Sequence, residues 1–236
     1  MSQELYRLQA GCFCWKYVPR PRCPVLMNIF CFRVRFTKTG KVRFLSHHDS
    51  MRMFERALRR SGLPLRFTSG FHPHPIMAFP LALGVGIESV DEVMEFELSS
   101  WVAPRKIEDD LGGEFPEGVT LKSVETFERK KRSFVDFVEY EASGLEGAEA
   151  SQSRVKELFE EEEIWIERAS DKKTRQINIR PYMMSVEYEN ERLLMRIQVT
   201  DRGTAKPDEI IRAIGLQSTG DTRVRKTFTQ LGIRGA

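Results

Sequence analysis

All four histidines of this chain fall within 28 residues: His47 and His48 in the run Ser46-His47-His48-Asp49, and His72 and His74 in Ser69-Gly70-Phe71-His72-Pro73-His74-Pro75. Imidazole and carboxylate side chains at H-x-D and H-x-H spacing are ligand types for zinc, iron or manganese. A histidine oriented by Asp49 is also the equipment of general acid/base catalysis, because imidazole titrates near neutral pH. The plainer alternative is that these groups are hydrogen-bonded parts of two shaped loops, the second stiffened by the prolines that flank His74. Each run follows a strand-like segment, so the two loops are expected to meet at one end of a sheet. No P-loop, dinucleotide glycine fingerprint, H-E-x-x-H, G-x-S-x-G or C-x-x-C is present, which argues against nucleotide hydrolysis and zinc proteolysis.

A second chemistry lies in the basic residues that surround these loops. Residues 1–75 carry 14 basic and 3 acidic side chains, residues 76–200 carry 16 and 27, and residues 201–236 carry 7 and 4, in a chain whose net charge is only +3. Arg33, Arg35, Lys38, Lys41, Arg43, Arg52, Arg56, Arg59 and Arg66, interleaved with Phe44, Phe67 and Phe71, have the composition of a face that binds a phosphate backbone and stacks unpaired bases. The competing reading is that the basic first third pairs with the acidic middle of the same chain. Arg180, before Pro181 and Tyr182, is suited to an acidic residue or to a ligand phosphate or carboxylate.

The hydrophobic fraction of 41% fills a real core, and no window approaches the roughly 18 apolar residues of a membrane helix. The four cysteines, Cys12, Cys14, Cys23 and Cys31, all precede residue 32, which excludes a disulfide-framed secreted fold and fits a reducing cytoplasm.

Elements that position the loops follow from periodicity. Residues 1–26 lack a sustained period and hold Pro19, Pro21 and Pro24; they read as a disordered or non-native N-terminal extension. From residue 27 to 128, strands at Ile29–Phe36, Val42–Leu45, Leu65–Thr68, Val93–Leu98 and Val119–Val124 alternate with a helix capped by Ser46 or Asp49 and closed by Gly62, and with a short helix at Pro104–Leu111. After the basic linker Arg129-Lys130-Lys131-Arg132, residues 133–220 read as strands at Phe134–Glu141, Ile164–Glu167, Ile177–Arg180, Met183–Tyr188 and Leu193–Val199, with helices at Ser153–Glu162 and Pro207–Ile214. Residues 221–236 read as a basic C-terminal tail. The expectation is an α+β protein of two ferredoxin-like, split βαβ units packed side by side.

The stretch VRFTKTGKVRFLSHHDSMRMFERALRRSGLPLRFTSGFHPHPIMAFPLALGVGIES and the later INIRPYM resemble the bacterial radical SAM-linked (radical SAM-associated) protein family, a domain of unknown function, over about Met27 to Leu216. The resemblance implies an auxiliary chain encoded beside, or fused to, a B12-binding-type radical SAM protein. That partner would carry the iron-sulfur cluster and S-adenosylmethionine; this chain, which lacks the C-x3-C-x2-C cluster motif, would carry no cofactor or metal of its own. By position the resemblance marks Ser46, His47 and Asp49, then Gly70, Phe71, Pro73, His74 and Pro75, then Arg180 and Tyr182. His48 and His72 depart from the family pattern. With Arg66 these residues form the expected substrate-binding set, with RNA as the expected substrate. The leading expectation is an accessory domain that recognises substrate for a radical SAM enzyme. The alternatives are an autonomous, metal-dependent enzyme using His47, Asp49 and His74, and a non-specific RNA-binding protein.

Overall fold

The computed structural model describes residues 29–129, 133–147, 151–170 and 173–233. The expected extension over residues 1–26, with Cys12, Cys14 and Cys23, and Lys130, Lys131 and Arg132 of the linker lie outside the described residues. The described residues form β1 (Phe30–Lys38), α1 (His47–Arg60), β2 (Met77–Ala78), β3 (Glu88–Leu98), α2 (Pro104–Gly112), β4 (Val119–Phe127), β5 (Ser133–Glu146), α3 (Ser151–Glu160), β6 (Trp165–Ser170), β7 (Lys173–Asn178), β8 (Met183–Glu189), β9 (Arg192–Thr200), β10 (Gly203–Thr204), α4 (Pro207–Ile214) and β11 (Gln217–Ile233).

Nine of the strands join in one sheet with the order β10-β9-β5-β11-β3-β1-β4, β2 also pairing with β3 and β8 with β9. Its pairings are antiparallel except for β11 with β3, which run parallel through Arg225↔Glu88 and Lys226↔Ser89. The remaining strands, β6 and β7, form a separate hairpin. The protein is therefore α+β, with one mostly antiparallel sheet.

Alternation along the strands puts apolar side chains on the helix side of this sheet. In the first half Phe32, Val34, Phe36, Met94, Phe96 and Leu98 pack under Phe54, Ala57 and Leu58 of α1 and Ile107 and Leu111 of α2. In the second half Val138, Ala142, Leu193, Met195 and Ile197 pack under Leu158 of α3 and Ile210, Ile211 and Ile214 of α4.

Three segments fold differently from the expectation. Val42–Leu45 is not a strand: Gly40–Phe44 forms a 3₁₀ helix, entered through Gly40 at φ +63°. Leu65–Thr68 contributes only isolated bridges, Leu65↔Leu98 and Phe67↔Pro75. The largest difference concerns the C-terminal tail, because residues 217–233 form the longest strand, paired along β5 and joined to β3. Its basic composition hid it: alternation is present, but one inward position is the ammonium of Lys226, 1% exposed.

Candidate functional site

Both histidine loops are built on α1, at different levels. Ser46 caps the helix, its hydroxyl accepting from the Asp49 amide at 3.1 Å and donating to the Asp49 carboxylate at 2.7 Å; this is the capping that Ser, with an acceptor three residues on, is suited to. His47 sits edge-on to Phe79, ring centres 5.6 Å apart. The second loop is strapped to the C-terminal half of the same helix. Glu55 accepts from Arg59 and lies 3.0 Å from His74 Nδ1, while Arg59 also donates to the Pro73 carbonyl and stacks over Phe67. Thr68 and His74 exchange two further bonds. Burial draws the Glu55 carboxyl up, but Arg59 and His74 outweigh it and hold the group below its ordinary value.

His47 and the Glu55 contact of His74 are thus two helical turns apart, about 12 Å along the axis. Among the described residues no hydrogen bond or ion pair joins His47 or Asp49 to His74, whose ring is held by Glu55. Among the described residues no group of three or more His, Cys, Asp or Glu side chains is arranged to hold a metal ion.

The strap holds the loop tip outward. Gly70 turns at φ +139°, a backbone region that favours glycine; Phe71 beyond it is fully exposed, and His72 and Pro73 are exposed. Pro75 is buried. Along α1 from this loop, His48, Arg52, Arg56 and Arg59 form an exposed stripe at four- and three-residue spacing. Arg52 reaches only Asp49, at 3.9 Å, and Arg56 makes no ion pair among the described residues.

Most other cations of the first half are matched by acids, many of them on β3. Arg33 pairs with Glu95 and Glu125, Arg35 with Asp91, Arg43 with Glu88, Arg60 with Glu114, and Arg66, together with Arg129, with Glu97. Arg66 is therefore committed to a buried carboxylate. Asp91 also accepts from the Thr229 amide and Arg35 donates to the Thr229 carbonyl, so this ladder ties β11 to the first half.

A site the sequence reading missed lies where the two cores meet. Lys38, Glu92 and Lys226 come from three strands and are 4%, 3% and 1% exposed. Lys226 Nζ is 2.5 Å from Glu92 Oε1, and Lys38 Nζ donates to the Leu45 carbonyl at 2.7 Å. Burial pushes the Lys38 ammonium below its ordinary pKa, the nearby Glu92 charge opposing. Burial and then Glu92 push the Tyr140 hydroxyl up. A cavity of about 20 Å³ beside this group is lined by Lys38, His47, Ser50 and Glu92, with Phe79 and Leu81 among its apolar walls. Ser50 is 8% exposed, and among the described residues its hydroxyl has no hydrogen-bond partner. Lys38 and Lys226 were legible only as two more basic residues, and Ser50 as one more helix residue; no local spacing links them.

Arg180 and Tyr182 belong to the second half. Arg180 stacks on Phe159 and donates to the main-chain carbonyls of Phe159 and Glu161 at the end of α3. It closes a helix C-terminus, where cations are favoured, and is not brought to the α1 loops. Tyr182 packs at the edge of the second core.

A family model for a bacterial conserved family, described as uncharacterized and of unknown function, matches residues 32–207. No curated protein matches the chain. No helix among the described residues is long and apolar enough to cross a membrane.

Proposed function

We propose that this chain, which belongs to the uncharacterized bacterial family that matches most of its length, is an accessory domain that holds single-stranded RNA for a radical SAM partner. The observation that carries the RNA part is the α1 stripe: Arg52 and Arg56 stay exposed and almost unmatched while their neighbours are paired, and they lead to Phe67 and the fully exposed Phe71. Guanidinium groups along a helix suit phosphates, and a rigid aromatic at a loop tip suits an unpaired base. Proline-stiffened geometry and the Glu55–Arg59–His74 strap preorganise that aromatic, which reduces the ordering cost of binding. The partner is inferred from the resemblance of the Ser46–Asp49 and Gly70–Pro75 loops to the radical SAM-linked family.

The strand orders β2-β3-β1-β4 and β8-β9-β5-β11 support reading the halves as two ferredoxin-like units side by side, with the β6–β7 hairpin inserted in the second.

The test is fluorescence anisotropy with a labelled single-stranded oligonucleotide and its duplex across a salt series. Loss of one stacked base in Phe71→Ala is expected to weaken single-strand binding about 5- to 150-fold. Arg52→Gln with Arg56→Gln should lower the salt slope by about 0.7 for each phosphate that is no longer neutralised. Absence of single-strand binding at low salt, or wild-type affinity in Phe71→Ala, would refute the RNA reading. Co-purification with a radical SAM protein tests the partner separately.

A further inference from the structure

Five ionisable groups face the seam between the two cores, each from a different element: Lys38 of β1, His47 of α1, Glu92 of β3, Tyr140 of β5 and Lys226 of β11. Glu92 turns one carboxylate oxygen to Lys226. Lys38 lies outside that ion pair, and among the described residues its one hydrogen-bond acceptor is the Leu45 carbonyl, which leaves two N–H donors of an ammonium group unused. Among the described residues two buried ammonium groups thus stand against one carboxylate, and one positive charge has no counterion. Nearby, the Ser50 hydroxyl has no partner among the described residues, although it is more than nine-tenths buried and lines the cavity. The cavity lies at the N-terminal turn of α1, a 14-residue helix whose dipole adds positive potential there.

We propose that this cavity binds a small monovalent anion, received by the Lys38 ammonium and the Ser50 hydroxyl. The charge count sets the valence, since one negative charge balances the cluster and a dianion would exceed it. Size sets the rest: about 20 Å³ is room for one water-sized group, so the ligand is a halide or the oxygen end of a small carboxylate whose remainder lies toward His47. An unfilled hydrogen bond and an unfilled charge, from separate residues, meet in one cavity. This site stands independently of the RNA reading, because its groups are buried beneath α1 and not on its exposed stripe.

The experiment is thermal unfolding of the full chain at fixed ionic strength, replacing gluconate stepwise by formate in one series and by bromide in another. A saturating rise of the midpoint, about 5 °C or more at high occupancy, is expected in at least one series; which series responds identifies carboxylate or halide as the source. The effect should fade as pH rises toward 10.5, the ordinary value for lysine, because a neutral amine has no charge to offer. Ser50→Ala, which removes an unpartnered hydroxyl and leaves the fold at least as stable, should weaken the anion about tenfold or more; Lys38→Met should abolish the response. A flat response to both anions, or an undiminished response in Ser50→Ala, would overturn the proposal.

Discussion

Replacing Glu92 by glutamine keeps the shape of the side chain and removes the one carboxylate of the Lys38–Glu92–Lys226 cluster. Both lysines are then left buried without a counterion, at 4% and 1% exposure. Removing one partner of a buried pair costs about 3–5 kcal/mol, largely because the other charge stays desolvated. In a chain of this size each kcal/mol lowers the unfolding midpoint by about 2–4 °C, so Glu92→Gln is expected to lose about 6–20 °C. Lys226→Met should lose no more than about half of that, since Lys38 still stands near Glu92 to balance it. Stability against pH supplies a second axis. The Lys38 value is lowered in the folded state, so between that value and 10.5 the unfolded chain binds the proton that the folded chain has released. Stability contributed by this group therefore rises with pH through that window. In Lys38→Met that rise should vanish; above about pH 10 the raised Tyr140 value works the other way in both proteins and cancels in the comparison. Differential scanning calorimetry or circular dichroism melts, with gluconate as the added anion, give the midpoints. Equal losses in Glu92→Gln and Lys226→Met, or a loss below about 2 °C in Glu92→Gln, would refute the two-against-one charge count.

Ser46→Ala removes the cap of α1 and should cost about 1 kcal/mol, a midpoint drop of a few degrees; an unchanged melt would mean the Ser46–Asp49 bonds contribute nothing. Because Arg59 and His74 hold the Glu55 carboxyl low against the pull of burial, its contribution is present above the ordinary value of 4.5 and is lost as pH falls through the folded one; Glu55→Gln should flatten the acid limb of the midpoint-against-pH curve. Ending the chain after Gly220 deletes most of β11, including Lys226 and Thr229, and should abolish cooperative unfolding, where removal of a loose tail would leave the melt unchanged.

What the sequence disclosed and what it concealed divide along one physical line: contacts that depend on neighbours in the chain were readable. Ser46 as cap and Gly62 as closing residue bracket α1, which runs His47–Arg60. The expected strands Met183–Tyr188 and Leu193–Val199 match β8 and β9, joined by a turn whose Asn190 and Glu191 both adopt positive φ, as a two-residue hairpin loop requires. The helix expected at Pro207–Ile214 is α4, with those bounds. Hidden features were those decided by partners far away in sequence. Lys226 reads as a reason for residues 221–236 to stay in water, until Glu92, more than 130 residues earlier, supplies the carboxylate that lets it enter the interior. Arg66 reads as a phosphate ligand until Glu97 is placed beside it. Block charge shares this weakness, because a net of +11 over residues 1–75 counts every cation equally. Once Arg33, Arg35, Arg43, Arg59, Arg60 and Arg66 are assigned to carboxylates and Lys38 to the interior, the same composition points to much narrower places. One is the exposed Arg52–Arg56 stripe leading to Phe71. The other is a buried ammonium beside an unpartnered serine. A cation that folding leaves unmatched costs free energy unless water or a ligand meets it, so unmatched charge, and not total charge, marks where this chain has room for a partner.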